Sequence, residues 1–130
     1  MTTASLVATR VCRLADLPVE RGVAALVAGP GQPVQVALVR AADGTVHCVG
    51  HRDPYTAANV IGRGLVGTRT VEGDLVPTIA SPLHKQLFDL RTGAALDDPS
   101  VSLGAWHVEV VDGEVLVGAM IHPAADPLAA

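Results

Sequence analysis

The sequence predicts an all-β fold, an antiparallel sandwich or a small barrel, and three observations carry that expectation. Short segments rich in branched residues recur along the chain, turn signals separate them at short intervals, and no long stretch keeps the spacing of an amphipathic helix. The turn signals are "GPGQP" at Gly29 to Pro33, "ADG" at Ala42 to Gly44, "EGD" at Glu72 to Asp74, "RTG" at Arg91 to Gly93 and "DG" at Asp112 to Gly113. Glycine, proline and acidic residues cluster in this way because turns need positive φ, fixed φ or local side-chain hydrogen bonds.

The expected strands lie between these signals. They are "RGVAALVA" from Arg21, "VQVALVR" from Val34, "TVHCVG" from Thr45, "LVPTIAS" from Leu75, "QLFDL" from Gln86, "HVEVV" from His107 and "EVLVG" from Glu114. Valine and isoleucine suit a pleated, half-buried surface. Val34 to Arg40 and Thr45 to Val49 read as one hairpin. Trp106 to Gly118 reads as another, in which the Asp112–Gly113 pair suits the tight turn between two antiparallel strands.

At 130 residues the chain has the length of one domain. The first residues and the Ala- and Pro-rich tail, His122 to Ala130, are expected to be mobile, leaving an ordered core of about residues 9–119. Only 2% of residues are aromatic against 49% hydrophobic, so the core must be built from Val, Leu, Ile and Ala. The net charge is −4 and the basic residues are scattered singly, which argues against nucleic acid and anionic membranes as partners. The longest apolar run, Val23 to Ala28, is too short to span a bilayer, and neither a membrane span nor a signal peptide is expected. Cys12 and Cys48 fit buried thiols in a reducing cytoplasm better than a disulfide framework.

Two polar segments interrupt the strand pattern: "HRDPYTAANVIGRG", His51 to Gly64, and the loop opening with "SPLHKQ" at Ser81. Each carries a small or acidic residue followed by proline. Together they resemble the Rieske family, in which two projecting loops of the form Cys-Pro-His and Cys-Pro-x-His hold a two-iron cluster. "DPY" stands where the first motif is expected and "SPLH" where the second is, with "FDLRTG" following as in that family. Carried over by position, Asp53 and Tyr55 take the first Cys and His places and Ser81 the second Cys place, while His84 alone keeps a ligand type. Such clusters need two soft thiolates on one iron and two imidazoles on the other. A carboxylate, a phenol and a hydroxyl do not supply them, so no cofactor is expected in this chain.

The ligand-free pattern is similar to one branch in particular, the small subunits of cytoplasmic NAD(P)H-dependent nitrite reductase. The resemblance runs from Val11 to Val117 and rests on "ADLP", "VALVR", "DPY", "SPLHKQLFDLRTG" and "LDDPSVSLGAWHVEVVDGEVLV". Lys85 stands where Rieske loops usually carry glycine. The resemblance implies an accessory subunit in the reduction of nitrite to ammonium during nitrate and nitrite assimilation. Its partner would be a large catalytic subunit carrying FAD, sirohaem and an iron–sulfur centre, and it would have no catalytic centre of its own. Arg52, Lys85 and Gln86 are the candidate partner-binding residues. Tyr55 and Leu83 are expected to fill the space a cluster would occupy, and Asp53, Ser81 and His84 to join the loops by hydrogen bonds.

Two other readings compete. A stand-alone Rieske-type electron carrier would require a cluster. A small metal-binding β-module would use Cys48 and His51, with His47 or His84 nearby. Against it, successive residues of a strand point to opposite faces, so His47 and Cys48 cannot both join one site. His107 and His122 have no ligand-spaced neighbours, and Asp97 and Asp98 before Pro99 read as a turn.

Overall fold

The computed structural model describes residues 8–29 and 31–126. Nine strands form two antiparallel sheets: β1 (Thr9–Arg13), β2 (Arg21–Val27), β3 (Val34–Arg40), β4 (Val46–Gly50), β5 (Leu65–Val71), β6 (Asp74–Ala80), β7 (Leu87–Asp89), β8 (Ala105–Val111) and β9 (Glu114–His122). The larger sheet runs β1-β9-β8-β4-β3-β2 and the smaller β5-β6-β7. The larger one curls until β1 touches β2, giving a nearly closed barrel.

The β3–β4 hairpin explains why "VQVALVR" is continuously apolar rather than alternating. One face, Val36, Leu38 and Cys48, packs inside the curl with Leu17, Trp106, Val115 and Val117. The other, Ala37, Val39 and Val49, packs outward against Ile79, Phe88, Leu90 and Leu103, which belong to the small sheet and its following loops. Phe88 is wholly buried, and burying such a ring stabilises the fold by roughly 1.5–3 kcal/mol. The two cores thus share a wall, and the small sheet is fixed to the barrel through it.

Tight turns at Glu72–Gly73 and Asp112–Gly113 take positive φ at both residues, 52° and 87° in the first and 50° and 77° in the second. That is the geometry that matches strand twist in a two-residue hairpin. β5 was not foreseen as a strand. Most of its residues are exposed, and Gly67 with Thr68, Arg69 and Thr70 gives little apolar signal. Its seven-residue pairing with β6 supplies the ladder that composition did not announce.

β9 continues to His122, and Ala125 exchanges two backbone hydrogen bonds of 2.9 Å with Ser102. Asp126 then pairs with Arg52, so the start of the tail contacts the domain through both residues. Residues 1–7 and 127–130, also expected to be mobile, lie outside the described residues, as does Pro30 of the first turn.

Candidate functional site at the paired loops

A six-residue turn occurs three times on the small sheet and its approaches. In the first copy Asp53 N–H donates to Ala58 O, Ala57 N–H returns to Asp53 O, and Tyr55 N–H donates to Asp53 Oδ1, each at 2.8 Å. In the second, Ser81 N–H donates to Gln86 O and Lys85 N–H to Ser81 O, both at 2.9 Å, and Leu83 N–H reaches Ser81 Oγ at 3.3 Å. In the third, Asp89 N–H donates to Ala94 O, Gly93 N–H to Asp89 O, and Arg91 N–H to Asp89 Oδ1. The fifth residue of each is left-handed: Ala57 at φ 66°, Lys85 at 58° and Gly93 at 81°. An Asp or Ser side chain can accept from a backbone N–H two residues on, which is why the turn opens on those types. The second residue is proline in the first two copies, pre-setting φ.

The first two copies meet. Ser81 Oγ donates to Asp53 Oδ2 at 2.5 Å, and both residues are buried. Each carboxylate oxygen of Asp53 therefore has a partner, Tyr55 N–H on one and Ser81 on the other. A buried carboxylate without such partners would be strongly destabilising.

The residues at the four ligand places do not fit an iron–sulfur cluster. Asp53 and Ser81 face one another as the two cysteines would have to, but as hard oxygen groups bonded directly to each other. Tyr55 is half-buried, with its ring centroid 6.5 Å from that of Phe88 at 40° between planes. Burial foremost, then Asp98, Asp53 and Asp97, raises its phenol pKa. His84 is the one ligand-type side chain, and it is exposed with no hydrogen bond to the other loop. Among the described residues no group of three or more His, Cys, Asp or Glu side chains is placed to hold a metal.

Several expected roles change. His84 does not join the loops: it is exposed and makes no hydrogen bond among the described residues. Leu83 does not fill the space between them, being 49% exposed, whereas Tyr55 does pack on the core. Arg52 is exposed but paired with Asp126, so it is not an uncommitted cation. Lys85 is exposed, without a side-chain partner among the described residues, and Gln86 is half-buried.

The rival histidine–cysteine pair is drawn into separate structural tasks. Cys48 lies within the barrel core, and burial pushes its thiol up to about 12. A thiol so resistant to ionisation is a poor metal ligand. His51 is buried, and its Nδ1 accepts the Gly62 N–H at 3.0 Å. Burial first, and the neighbouring Arg63 second, hold its pKa below the ordinary histidine value. Asp98 caps its own turn, accepting from Ser100 N–H and Oγ, as the turn reading of Asp97 and Asp98 implies.

Residues 8–118 match the family described as "Rieske-like [2Fe-2S] domain". The chain is 33% identical over 106 residues to the nitrite reductase (NADH) small subunit of Escherichia coli strain K12, covering 81% of this chain and 91% of that one. The chain belongs to the family of nitrite reductase small subunits. A solved structure from Mycobacterium tuberculosis, described as a candidate NADH-dependent nitrite reductase small subunit, is 38% identical to this family member. Its TM-score is 0.73, over 85% of this chain and 93% of that one. The chain is also 36% identical over 108 residues to the "Nitrite reductase [NAD(P)H] large subunit" of Klebsiella oxytoca, spanning 83% of this chain but only 10% of that much longer protein. A small-subunit domain thus occurs within a chain that carries the large subunit's name. Among the described residues no helix is long and apolar enough to cross a membrane.

Proposed function

We propose that this chain is a cluster-free accessory subunit of a cytoplasmic NAD(P)H-dependent nitrite reductase, in which it binds the large catalytic subunit. The observation that carries the reading is the Klebsiella oxytoca match, in which a domain like this one forms a tenth of a protein named as the large subunit. Domains that are separate chains in one organism and one chain in another are expected to touch.

The chemistry of nitrite reduction to ammonium, a step of nitrogen assimilation, falls to flavin, sirohaem and an iron–sulfur centre of the large subunit. This chain supplies no reacting group. Asp53, Ser81 and Tyr55 hold the two loops shut where a cluster would otherwise join them, and the hydrogen-bonded pair keeps the loop surface in one shape. Leu83, His84 and Lys85 are exposed on that surface, and preorganisation of this kind reduces what binding loses in ordering the loop.

Affinity capture with the full-length tagged chain tests the proposal, with the large chain identified by mass spectrometry and flavin absorbance. The purified small chain should hold far less than one cluster's iron and labile sulfide. Lys85→Glu should weaken capture by about tenfold while thermal stability changes little, because a reversed charge adds repulsion to a lost contact. A stoichiometric cluster in the isolated chain would instead support an electron carrier.

A further inference from the structure

The chain has nine Lys and Arg residues, and their partners divide them sharply. Arg10 pairs with Glu114, Arg13 with Asp16, Arg52 with Asp126 and Arg91 with Asp89. Arg40 donates to the carbonyls of Leu14 and Leu17. The other four, Arg21, Arg63, Arg69 and Lys85, have no hydrogen bond or ion pair among the described residues, and all are exposed.

Two of these four, Arg21 and Arg63, line one groove. Arg63 ends the short 3-10 turn Ile61–Arg63 that leads into β5. Arg69 lies on β5, on the same face as Leu65 because the two are four residues apart in a strand. Leu65 pairs with Ala80, the residue before Ser81, so loop two and Lys85 adjoin that end of β5. Arg21 opens β2 and faces Arg63 across a groove lined by both, with Glu20, Gly22, Gly62 and Leu65. The lining carries two cations against one anion, in a chain whose net charge is −4. At its lip Leu65 is 79% exposed, the most exposed large apolar side chain among the described residues.

We infer that this groove, with Arg21, Arg63 and Leu65, is the docking surface for an acidic segment of the large subunit that also presents an apolar side chain to Leu65. The inference rests on the accessory-subunit reading and extends the loop surface to a second element. Charge complementarity selects the occupant: unpaired guanidiniums bind carboxylates in bidentate fashion, and an acidic protein that brings two spare guanidiniums together in one groove repels partners of its own sign elsewhere. An exposed leucine beside such a pair is the kind of anchor that becomes buried at the centre of an interface.

Binding of the purified full-length chain to the purified large subunit by interferometry, at low and high ionic strength, tests this. Arg21→Glu and Arg63→Glu should each raise Kd by about tenfold or more and flatten its salt dependence. The glutamine substitutions should give smaller rises, and Leu65→Ser a rise of about fivefold or more. Arg13→Glu, an equal charge change outside the groove, should leave Kd within about twofold. Unchanged melting temperatures verify the fold of each variant. Wild-type binding with unaltered affinity in the groove variants would overturn the surface and leave the accessory reading intact. Absence of wild-type binding would overturn both.

Discussion

Ser81 Oγ and Asp53 Oδ2 lie 2.5 Å apart across 28 residues of sequence, both shielded from solvent. This one hydrogen bond ties loop one to loop two at the place where two cysteines would share an iron. Removing either partner leaves a buried polar atom unpaired, which costs about 1–3 kcal/mol. Ser81→Ala should therefore destabilise by that amount in urea denaturation. Asp53→Ala should cost more, since Tyr55 N–H loses its acceptor too. The double variant should fall short of the sum by about 1 kcal/mol or more, the signature of direct contact. Strictly additive losses would deny the pair its role.

The repeated turn makes a comparison at its left-handed position. Lys85 sits at φ 58°, where a side chain is strained, and Lys85→Gly should leave stability unchanged or raise it by about 0.5 kcal/mol, strain relief being offset by chain entropy. The same position in the third copy is Gly93, at φ 81°, and a β-carbon there would lie 2.6 Å from Gly104 O. Gly93→Ala should thus destabilise by about 2 kcal/mol or more, because conformation and packing both oppose it. Denaturation midpoints of the two variants should move in different directions or differ widely.

Acid should destabilise the protein through His51. Its folded-state pKa is lowered from 6.5 by burial and by Arg63, so below that value the unfolded chain binds the proton more readily. The stabilisation is present above pH 6.5 and is lost as pH falls toward and through the folded value. His47, lowered chiefly by burial, acts in the same direction. His51→Asn offers an oxygen to the Gly62 N–H in place of Nδ1 and removes one titration. Its stability should fall less than wild type between about pH 7.5 and about pH 5.5. Equal slopes would show that His51 does not carry the dependence.

The thiols should react unequally. Cys48 is 1% exposed with its thiol pushed up to about 12, while Cys12 is half-buried on β1. Alkylation of the native protein near neutral pH should modify Cys12 first and Cys48 only on unfolding, because the thiolate is the reactive form. Rapid native labelling of Cys48 would reopen the metal-module reading.

The hairpins were legible because their turns announce themselves. Asp112–Gly113 between alternating valines admits few alternatives, and β3 occupies Val34–Arg40 as its apolar run suggests. β5 was hidden by polar exposed residues, since its partner strand, not its own pattern, makes it a strand. The third turn was hidden for another reason. "DLRTG" shows a glycine turn, but its kinship with "DPYTA" and "SPLHK" lies in backbone hydrogen bonds that composition does not encode. The loops' meeting at Asp53 and Ser81 followed only from the family resemblance, since no local rule links residues so far apart. Leu83 and His84 were misjudged because a loop's side-chain directions depend on that turn geometry. The pairing of Arg52 with Asp126 was not legible because the tail that supplies Asp126 carries no pattern of its own.

Restoring the ligand set tests the loop correspondence most directly. In Asp53→Cys, Tyr55→His and Ser81→Cys, two thiols replace a pair of side chains already in contact, and His84 is present in the sequence. Reconstitution with iron and sulfide under reducing conditions should give uptake and thiolate–iron absorbance, at well below one cluster per chain. Two features hold it down. His84 is exposed and must turn inward, and Lys85 occupies the left-handed place where glycine would let the backbone approach the sulfurs. Adding Lys85→Gly should therefore raise occupancy. A control carries the same new residues one position along, at Pro54, Thr56 and Pro82, where nothing in the turn points them together. Uptake by the first set and not the second establishes that the two loops are a Rieske site with its ligands replaced. Equal uptake would reveal adventitious iron, and uptake by neither would leave the loop correspondence unsupported.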